Sequence, residues 1–469
     1  MRLKYKQTFY IGLAFLSIMM FWQVYDSIIP KILVNSFGMN QTMSGIIMSL
    51  DNIFALFLLP IFGHLSDKTS TRFGKRTPYI IIGTFLVAAF VAILAIINGL
   101  QISYLQANGI EQIVKEDFIV NGQLDEAAYQ AALAIRQSEV HRLTMNNIYY
   151  LIAFIGALLL ILISISIYRT PAIALMPDVT PKPLQSRANA IINFMGSTGG
   201  ILALALMSIY AQDYSSYVPL FLILTVVMII LLIIFLININ ERKILDHLDD
   251  NNYLYDTSYD NALETDFKMD KHVKRSFILL LLSVVFWYMG YNAAFTKFSI
   301  YTQNVLGMNF TLPLIIAQIT ALVSFIPLGI FATKIGRRQS IIFGASVLTI
   351  SFMCAYFINA NNIIYLYLTM GMAGIGWATI SVNSYPMVVE LARGNNIGKY
   401  TGYYYISSML AQIVTPILSG FLMDNFSMKV LFPYSAICCS LSLISMFFVK
   451  HGDSKPSKKH TKLEGFEDE

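Results

Sequence analysis

Apolar runs of membrane-spanning length recur along the whole chain. A helix needs about 20 consecutive apolar residues to cross the hydrocarbon core of a bilayer. Twelve segments of this kind lie near 9–33, 44–63, 79–98, 147–175, 188–210, 218–238, 276–305, 311–332, 340–358, 362–390, 400–422 and 429–449. The pattern predicts an all-α polytopic membrane protein with twelve transmembrane helices.

The polar segments between these runs predict the domain organisation. A polar stretch near the middle of the chain, 239–275, separates the first six apolar runs from the last six. We therefore expect an N-terminal six-helix bundle over 1–238, a cytoplasmic central loop over 239–275, a C-terminal six-helix bundle over 276–449 and a cytoplasmic tail over 450–469. With the N-terminus inside, about 25 of the 32 Lys and Arg residues fall in cytoplasmic segments. Both termini are accordingly predicted to be cytoplasmic.

One connection is much longer than the others. Residues 99–146 form an external loop in this topology, and their acidic side chains outnumber the basic ones. The stretch 125–142 has helical propensity, which predicts a small external helix. A lid over the entrance and a solvated insertion both remain open as interpretations.

Composition narrows the class of protein and of partner. Apolar types make up 56% of the chain and charged types 13%, whereas a soluble domain carries roughly 25% charged residues. The net charge of +5 is scattered over short loops, so no nucleic acid partner is expected. No metal site is expected from the cysteines because all of them lie inside apolar runs without ligand spacing, at Cys354, Cys438 and Cys439. We expect a monomer in the cell membrane whose partners are lipid, a small molecule and a coupling cation, without a cofactor.

Charged motifs recur at corresponding places in the two halves. The segment Gly63-His-Leu-Ser-Asp67, followed by Arg72-Phe-Gly74-Lys-Arg76, comes after the second run. After the eighth run, the segment from Gly329 to Arg338 repeats the basic part without the carboxylate. Such correspondence is typical of transporters built from repeated halves.

A second correspondence follows the fourth and tenth runs. Asp178 precedes Arg187 by nine residues, and Glu390 precedes Lys399 by the same interval. Acids and bases at cytoplasmic helix ends can pair across two bundles in one conformation and separate in another. We interpret them as gate latches, although basic residues that only enforce topology are the alternative. The gating candidates are Gly63, Asp67, Arg72, Gly74, Arg76, Asp178, Arg187, Glu390 and Lys399.

Four charged residues stand out within the predicted spans, namely Asp26, Asp51, Arg169 and Lys297. A charge in the membrane costs at least about 2.5 kcal/mol on insertion scales, so each is a functional candidate. Asp26 or Asp51 could carry a coupling proton, and Arg169 could pair with Asp51 or bind substrate hydroxyls. The alternatives are that Asp26 pairs near the external end, that Asp51 belongs to a polar helix contact, and that Lys297 snorkels to the interface.

A sugar site needs hydrogen-bonding amides beside an aromatic platform. Several spans combine the two residue types. The substrate-binding candidates are Trp22, Gln23, Asn193, Trp287, Asn292, Asn383 and Gln412. Bundle packing or an aromatic belt at the lipid interface is the alternative explanation for the aromatic members.

The motif after the second run resembles the major facilitator superfamily. Its stretched form, from Pro60 through Asp67 and from Arg72 to Pro78, is similar to plant sucrose transporters, their animal relatives and the glycoside-pentoside-hexuronide cation symporters. The resemblance implies the major facilitator fold and proton- or sodium-coupled uptake of a disaccharide or other glycoside. Melibiose-type sodium symporters carry two carboxylates where this chain has Ala55 and Leu59, which favours protons over sodium.

Other functions are less well supported by the sequence. A proton-coupled exporter or a carrier of a non-sugar solute is the first alternative, because one fold serves many functions. A transporter-like sensor is another. The chain has no His-Glu-x-x-His motif, no paired-cysteine site and no Gly-x-Ser-x-Gly elbow, so we do not expect an enzyme.

Overall fold

A computed structural model describes residues 4–113, 115–120, 123–180, 184–210, 216–250, 271–359, 362–391 and 397–451. Helices account for nearly all of these residues. In chain order they are α1 (Tyr5–Asn35), α2 (Gln41–Lys68), α3 (Thr77–Ala107), α4 (Glu126–Asn146), α5 (Tyr149–Asp178), α6 (Gln185–Tyr210), α7 (Val218–Asn238), α8 (Glu241–Asp250), α9 (Lys271–Thr296), α10 (Phe298–Tyr301), α11 (Thr311–Ile335), α12 (Arg337–Tyr356), α13 (Ile364–Leu391), α14 (Ile397–Asn425) and α15 (Leu431–Phe447).

The apolar helices of the described residues match the twelve predicted spans. Eleven described helices are long and apolar enough to cross a membrane, and α11 adds a shorter apolar segment, Thr311–Phe325. The predicted twelve-helix, two-bundle fold is therefore confirmed. We call α1–α3 with α5–α7 the first bundle, and α9–α15 the second bundle. The membrane face at which α1 begins is the N-terminal face, and the other is the opposite face.

Small residues let the spans approach closely within each bundle. At Gly199 in α6, a side chain would collide with the backbone of Leu16 in α1. At Gly374 in α13, it would collide with the backbone of Ala317 in α11. Association between membrane helices relies on this kind of close packing, because lipid is as apolar as the side chains.

The seventh span is interrupted near the opposite face. Its main helix, α9, ends at Thr296, and the one-turn α10 leads into a π-helical segment, Thr302–Leu306. Gly307 then ends the span in the left-handed region, with φ of 57°. π-Helical turns occur frequently at functional sites. Here the turn presents Gln303 to Asn35 of the first bundle and Asn304 to Gln130 of α4.

The predicted external helix is present as α4, and it contacts both bundles. The Tyr129 hydroxyl donates to the Gln303 carbonyl of the second bundle at 3.3 Å. Arg136 Nη1 donates to the Asn35 carbonyl of the first bundle at 3.0 Å, and Gln137 Nε2 donates to the Met39 carbonyl at 2.7 Å. Because α4 is bonded across the bundles, the structure favours the lid over the solvated insertion.

The start of the central loop is a second element with a structural role. Glu241, the first residue of α8, is fully buried. Its carboxylate accepts from the backbone N–H groups of Lys75 at 2.7 Å and Thr77 at 2.8 Å, and from the Thr77 hydroxyl at 2.7 Å. It thereby caps the N-terminus of α3, where unpaired N–H groups favour a negative charge. Gly74, with φ of 113°, lies directly against this side chain. The predicted loop over 239–275 is therefore not featureless, and residues 251–270 lie outside the described part.

Replacing the Glu241 cap should destabilise the N-terminal face of the first bundle. Glu241→Ala leaves several buried N–H groups without an acceptor, which should lower the free energy of unfolding by about 2 kcal/mol. The measurement is thermal unfolding of the purified protein in detergent. Asp246→Ala, an exposed acid on the same helix, is the control. Equal melting temperatures for the two variants would contradict the capping role.

Candidate functional site

The intramembrane charges predicted in the first bundle come together at one place. Arg169 in α5 places its guanidinium carbon 5.4 Å from the ring centroid of Trp22 in α1. Its charge interacts with those of Asp51 in α2 and Asp26 in α1. All three ionisable side chains are half-buried. Three helices of the first bundle thus contribute to one charged cluster.

The cluster is not a closed set of ion pairs. Among the described residues, Arg169 forms no contact-distance ion pair with either carboxylate. Asp51 instead accepts hydrogen bonds at 2.5 and 2.6 Å from the backbone and side-chain nitrogens of Asn52. The Lys31 ammonium, the alternative neighbour of Asp26, lies 5.0 Å from the centroid of the Phe310 ring. The two carboxylates and the guanidinium therefore keep hydrogen-bonding capacity for a solute or an ion.

A wall of aromatic and amide groups lies on the second bundle. Gly290 in α9 packs against Ser435 and Cys439 of α15. Asn292 comes two residues after Gly290, which is about 200° around the helix. It therefore lies on the side of α9 that faces away from α15. Among the described residues its Nδ2 atom has no hydrogen-bond partner. The adjacent ring of Tyr291 stacks on Trp377 of α13 at 5.7 Å. This wall combines the residue types expected of a sugar site, and Trp377 was not among the residues predicted.

A glutamine pair connects the two bundles deeper in the membrane. Gln318 of α11 donates from Nε2 to Oε1 of Gln23 in α1. Gly200 of α6 lies against the Gln318 side chain, where a larger residue would collide with it. Gln318 was missed, although an amide within the eighth apolar run was an available signal.

Two other predicted residues face the partner bundle. Asn193 is exposed and lies two turns before Gly200, on the side of α6 that approaches α11. Gln412 of α14 is half-buried and lies one turn before Pro416, whose carbonyl packs against Gly45 of α2. Both remain candidates for substrate contact.

Trp287 and Asn383 are packed inside the second bundle. Trp287 is fully buried and lies against Tyr288, with ring centroids 3.9 Å apart. Asn383 is also buried, and its Nδ2 donates to the Thr379 carbonyl of its own helix at 2.8 Å. Their role in substrate binding stays a prediction, which this packing does not favour.

The bundles are closed at the opposite face. Asn35 Nδ2 donates to Gln303 Oε1 at 3.0 Å, which joins α1 to the seventh span. Lys297 Nζ donates to the Gln41 carbonyl of α2 at 2.9 Å. Lys297 is 1% exposed, so the snorkelling interpretation is wrong. Its ammonium group is part of the closure.

Asp424 completes this closure from the second bundle. Its carboxylate accepts from the backbone N–H groups of Gln41 at 2.8 Å and Thr42 at 2.7 Å. An acid at the end of α14 thus caps the N-terminus of α2 in the other bundle. Gly420, one turn before it, lies against the Gln41 carbonyl. Sequence reasoning missed Asp424 because an acid after an apolar run is also typical of a solvated loop.

Toward the N-terminal face the same helices separate. Buried residues of α2 are concentrated in its first turns, from Gln41 to Ser49, and only Ala55 and Ser66 are buried beyond them. Leu56 and Phe57 of α2 are exposed, as is Tyr405 of α14. We call the region between α2 and α14 toward the N-terminal face, where these residues are exposed, the vestibule.

Comparison with known proteins assigns the fold to a family. A model described as Major Facilitator Superfamily matches residues 128–385 and 312–467, and one described as MFS/sugar transport protein matches 10–107. The chain belongs to the major facilitator superfamily. It is therefore a multi-pass membrane transporter by family.

Solved structures of this superfamily cover nearly the whole chain. A bacterial homologue of the iron transporter ferroportin, in an inward-facing state, has a TM-score of 0.66 at 12% identity and covers 96% of this chain and 100% of its own. The xylose transporter XylE from E. coli, in an inward open conformation, has 0.63 at 15% identity, covering 97% and 98%. The nucleoside transporter NupG has 0.61 at 13% identity, covering 95% and 100%. At these identities the likeness concerns the fold.

A sequence relative gives no further detail about the cargo. A protein described as an uncharacterized transporter from Buchnera aphidicola subsp. Schizaphis graminum is 27% identical over 130 residues. The match covers 28% of this chain and about a third, 32%, of that relative's length.

In this superfamily member, the gating motif forms a charge cluster within the first bundle. Arg76 Nε donates to Asp178 Oδ2 at 2.8 Å, Nη1 donates to Ser66 Oγ at 2.5 Å, and Nη2 pairs with Asp67. Burial lowers the pKa of Arg76, but the hydrogen bonds and charges of Asp178 and Asp67 outweigh it and raise that pKa above its usual value. Arg72 lies outside the cluster, with its guanidinium carbon 4.8 Å from the ring centroid of Phe73.

The second bundle contains a comparable pair. Arg337, at the start of α12, forms an ion pair with Glu390 near the end of α13. Asp178 and Glu390 thus pair with bases that follow the second and eighth spans. The side chains of Arg187 and Lys399 lie outside the described part. In this conformation the described pairs join helices of one bundle, so latches across the bundles stay a prediction for another state.

Neutralising Asp424 should loosen the closure at the opposite face. Asp424→Asn removes the charged cap of α2, and losing one charge-assisted contact of about 1.5 kcal/mol corresponds to about a tenfold shift toward opening. The readout is the rate at which an impermeant maleimide, added at the opposite face, labels Met48→Cys in a Cys354→Ser background. Met48 is buried beneath the closure.

Asn425→Ala is the matched control for this prediction. Asn425 lies next to Asp424 but bonds only the Phe421 carbonyl of its own helix among its described hydrogen bonds. In the Asn425→Ala variant, Met48→Cys should be labelled at the same rate as in the Cys354→Ser background without a further substitution. A rate unchanged by Asp424→Asn would contradict a role in closure.

Proposed function

We propose that this transporter takes up a disaccharide or other glycoside together with a proton, by alternating access. The observation that carries the proposal is a pair of polar residue sets, one on each bundle. The charged cluster of Asp26, Asp51 and Arg169 belongs to the first bundle, and the Tyr291, Asn292 and Trp377 wall belongs to the second. A solute held between them would contact both bundles and could couple their movement.

The N-terminal face is proposed to be cytoplasmic. Most Lys and Arg residues fall on that side when the N-terminus is inside, as the positive-inside rule requires. The vestibule then opens to the cytoplasm, and the closure formed by Asp424 and Lys297 faces outward. The structure would correspond to an inward-open state of the carrier.

The charge balance of the cluster supports a coupling cation. Two carboxylates face one guanidinium, so the fully ionised cluster carries one excess negative charge. An excess charge in the membrane is costly, and binding a proton removes it. Ala55 and Leu59 leave α2 without the carboxylates of melibiose-type sodium symporters, which favours the proton over sodium. Among the described residues no cluster of three metal-ligating side chains occurs.

The second-bundle wall supports a sugar. The aromatic faces of Tyr291 and Trp377 suit the C–H face of a sugar ring, and the free amide of Asn292 suits its hydroxyls. The match to a model described as MFS/sugar transport protein over residues 10–107 agrees with this chemistry.

A carboxylate-bearing solute is the second candidate. Arg169 forms no close ion pair among the described residues, and a guanidinium binds carboxylates through two parallel hydrogen bonds. A hexuronide would combine both requirements, whereas a dipeptide would use only the charge.

Counterflow in proteoliposomes tests the proposed substrate class. Vesicles preloaded with an unlabelled solute should concentrate the same labelled solute transiently if the protein carries it. The panel contains neutral disaccharides, hexuronides and a dipeptide. Counterflow with a glycoside supports the proposal, and counterflow with the dipeptide alone would overturn it.

Asp51→Asn should separate coupling from exchange. The amide cannot bind and release a proton, so accumulation driven by a proton gradient should be lost while counterflow persists. Asp117→Asn, an exposed acid of the external loop, should behave as the unmodified protein in both assays. Gradient-driven accumulation by Asp51→Asn would remove that carboxylate from the coupling site.

A further inference from the structure

A cluster of tyrosines lies along the vestibule, away from the charged cluster. Tyr385 of α13 packs against Tyr404 and Tyr405 of α14, with ring centroids 5.5 and 6.3 Å apart. Tyr404 and Tyr405 are themselves 5.7 Å apart. None of the three contributes to the site described above.

The geometry of α14 places Tyr405 on the side that faces the first bundle. Tyr405 precedes Pro416 by eleven residues, which is about three helical turns. Both residues therefore lie on the same side of the helix, and at Pro416 that side packs against Gly45 of α2. Pro416 is buried, whereas Tyr405 is 52% exposed because the bundles separate toward the N-terminal face.

The rings are held in place, although two of them are accessible. Tyr404 is buried, and its hydroxyl lies 3.1 Å from Ser384 Oγ. Tyr385 is 37% exposed, and its hydroxyl lies 3.4 Å from Thr401 Oγ1. The buried ring supports the two accessible rings, so their faces need little reordering to receive a ligand.

Tyr403 lies in the same turn of α14 but on a different side of the helix, outside the vestibule. It is 40% exposed, but its ring packs near Phe277 of α9 and Tyr400, at 6.0 and 6.2 Å. It lies about 160° around the helix from Tyr405, since two residues advance by about 200°. An aromatic belt at the lipid interface accounts for Tyr403 but not for Tyr405.

We infer that Tyr385 and Tyr405 form a second sugar-binding subsite, on the path between the transport site and the N-terminal face. Rigid aromatic faces with phenolic hydroxyls suit a glycoside ring, which presents C–H groups on its face and hydroxyls at its edge. This inference rests on the proposed function. The subsite would bind sugar that enters or leaves from the N-terminal face, and it would have little effect on sugar arriving from the opposite face.

The test compares the two faces of the membrane. Counterflow and efflux in oriented proteoliposomes give the apparent KM for a transported glycoside at each face. Tyr405→Ala and Tyr385→Ala should each raise KM at the N-terminal face about fivefold, as expected for losing one aromatic contact. KM at the opposite face should stay within about twofold. Tyr405→Phe should keep most of the affinity, because the ring remains.

Tyr403→Ala is the matched control, since it removes an exposed tyrosine from the same turn of α14. An unchanged KM at the N-terminal face in both Tyr405→Ala and Tyr385→Ala would overturn the subsite, as would an equal rise in Tyr403→Ala. If Tyr405→Ala does not fold, Tyr385→Ala alone gives the result. Absence of transport of any glycoside by the unmodified protein would overturn the proposed function and the subsite together. If the unmodified protein transports a glycoside and the variants have an unaltered KM, only the subsite is overturned.

Discussion

The cost of placing charge inside a membrane governs the organisation of this transporter. Asp26, Asp51 and Arg169 come from three different helices, yet their charges interact at one place. Charges in lipid would be strongly unfavourable, and they become tolerable where they face one another and a polar crevice. The second bundle carries its own set of amide and aromatic groups on α9 and α13. This electrostatic constraint accounts for the grouping of the three charged side chains in the first bundle.

The two ends of the crevice differ in how their polar groups are paired. At the opposite face, Asp424 of the second bundle caps a helix of the first, and Lys297 bonds the carbonyl of Gln41 in the same turn. At the N-terminal face, Arg76 and Arg337 are paired within their own bundles. Polar groups that satisfy each other across the bundles stabilise closure, whereas groups satisfied within a bundle leave the bundles free to separate. This difference gives a physical basis for a carrier that is closed on one side and open on the other.

Several of the functional elements lie outside the transmembrane core. The helix α4 bonds both bundles at the closed face, through Tyr129 and Arg136. The helix α8 inserts Glu241 beneath the start of α3, next to the Arg76 cluster. Each of these two helices lies outside the spans and bonds one end of the bundles. A change in either segment could therefore alter the gates without touching the solute.

Hydropathy and charge along the chain were sufficient to predict the twelve spans, the repeated charged motifs and the first-bundle cluster. These are local properties, because an apolar run or a buried charge has its energetic consequence wherever the helix lies. The partners of Lys297, Glu241 and Gln318 could not be predicted in this way. They depend on which sides of which helices meet, and a shift of one residue in a helix turns a side chain by about 100°. For the same reason, the sequence did not show that Trp287 and Asn383 are packed in the interior, or that Trp377 stacks on Tyr291. Only the packing of the helices establishes which polar groups share a space.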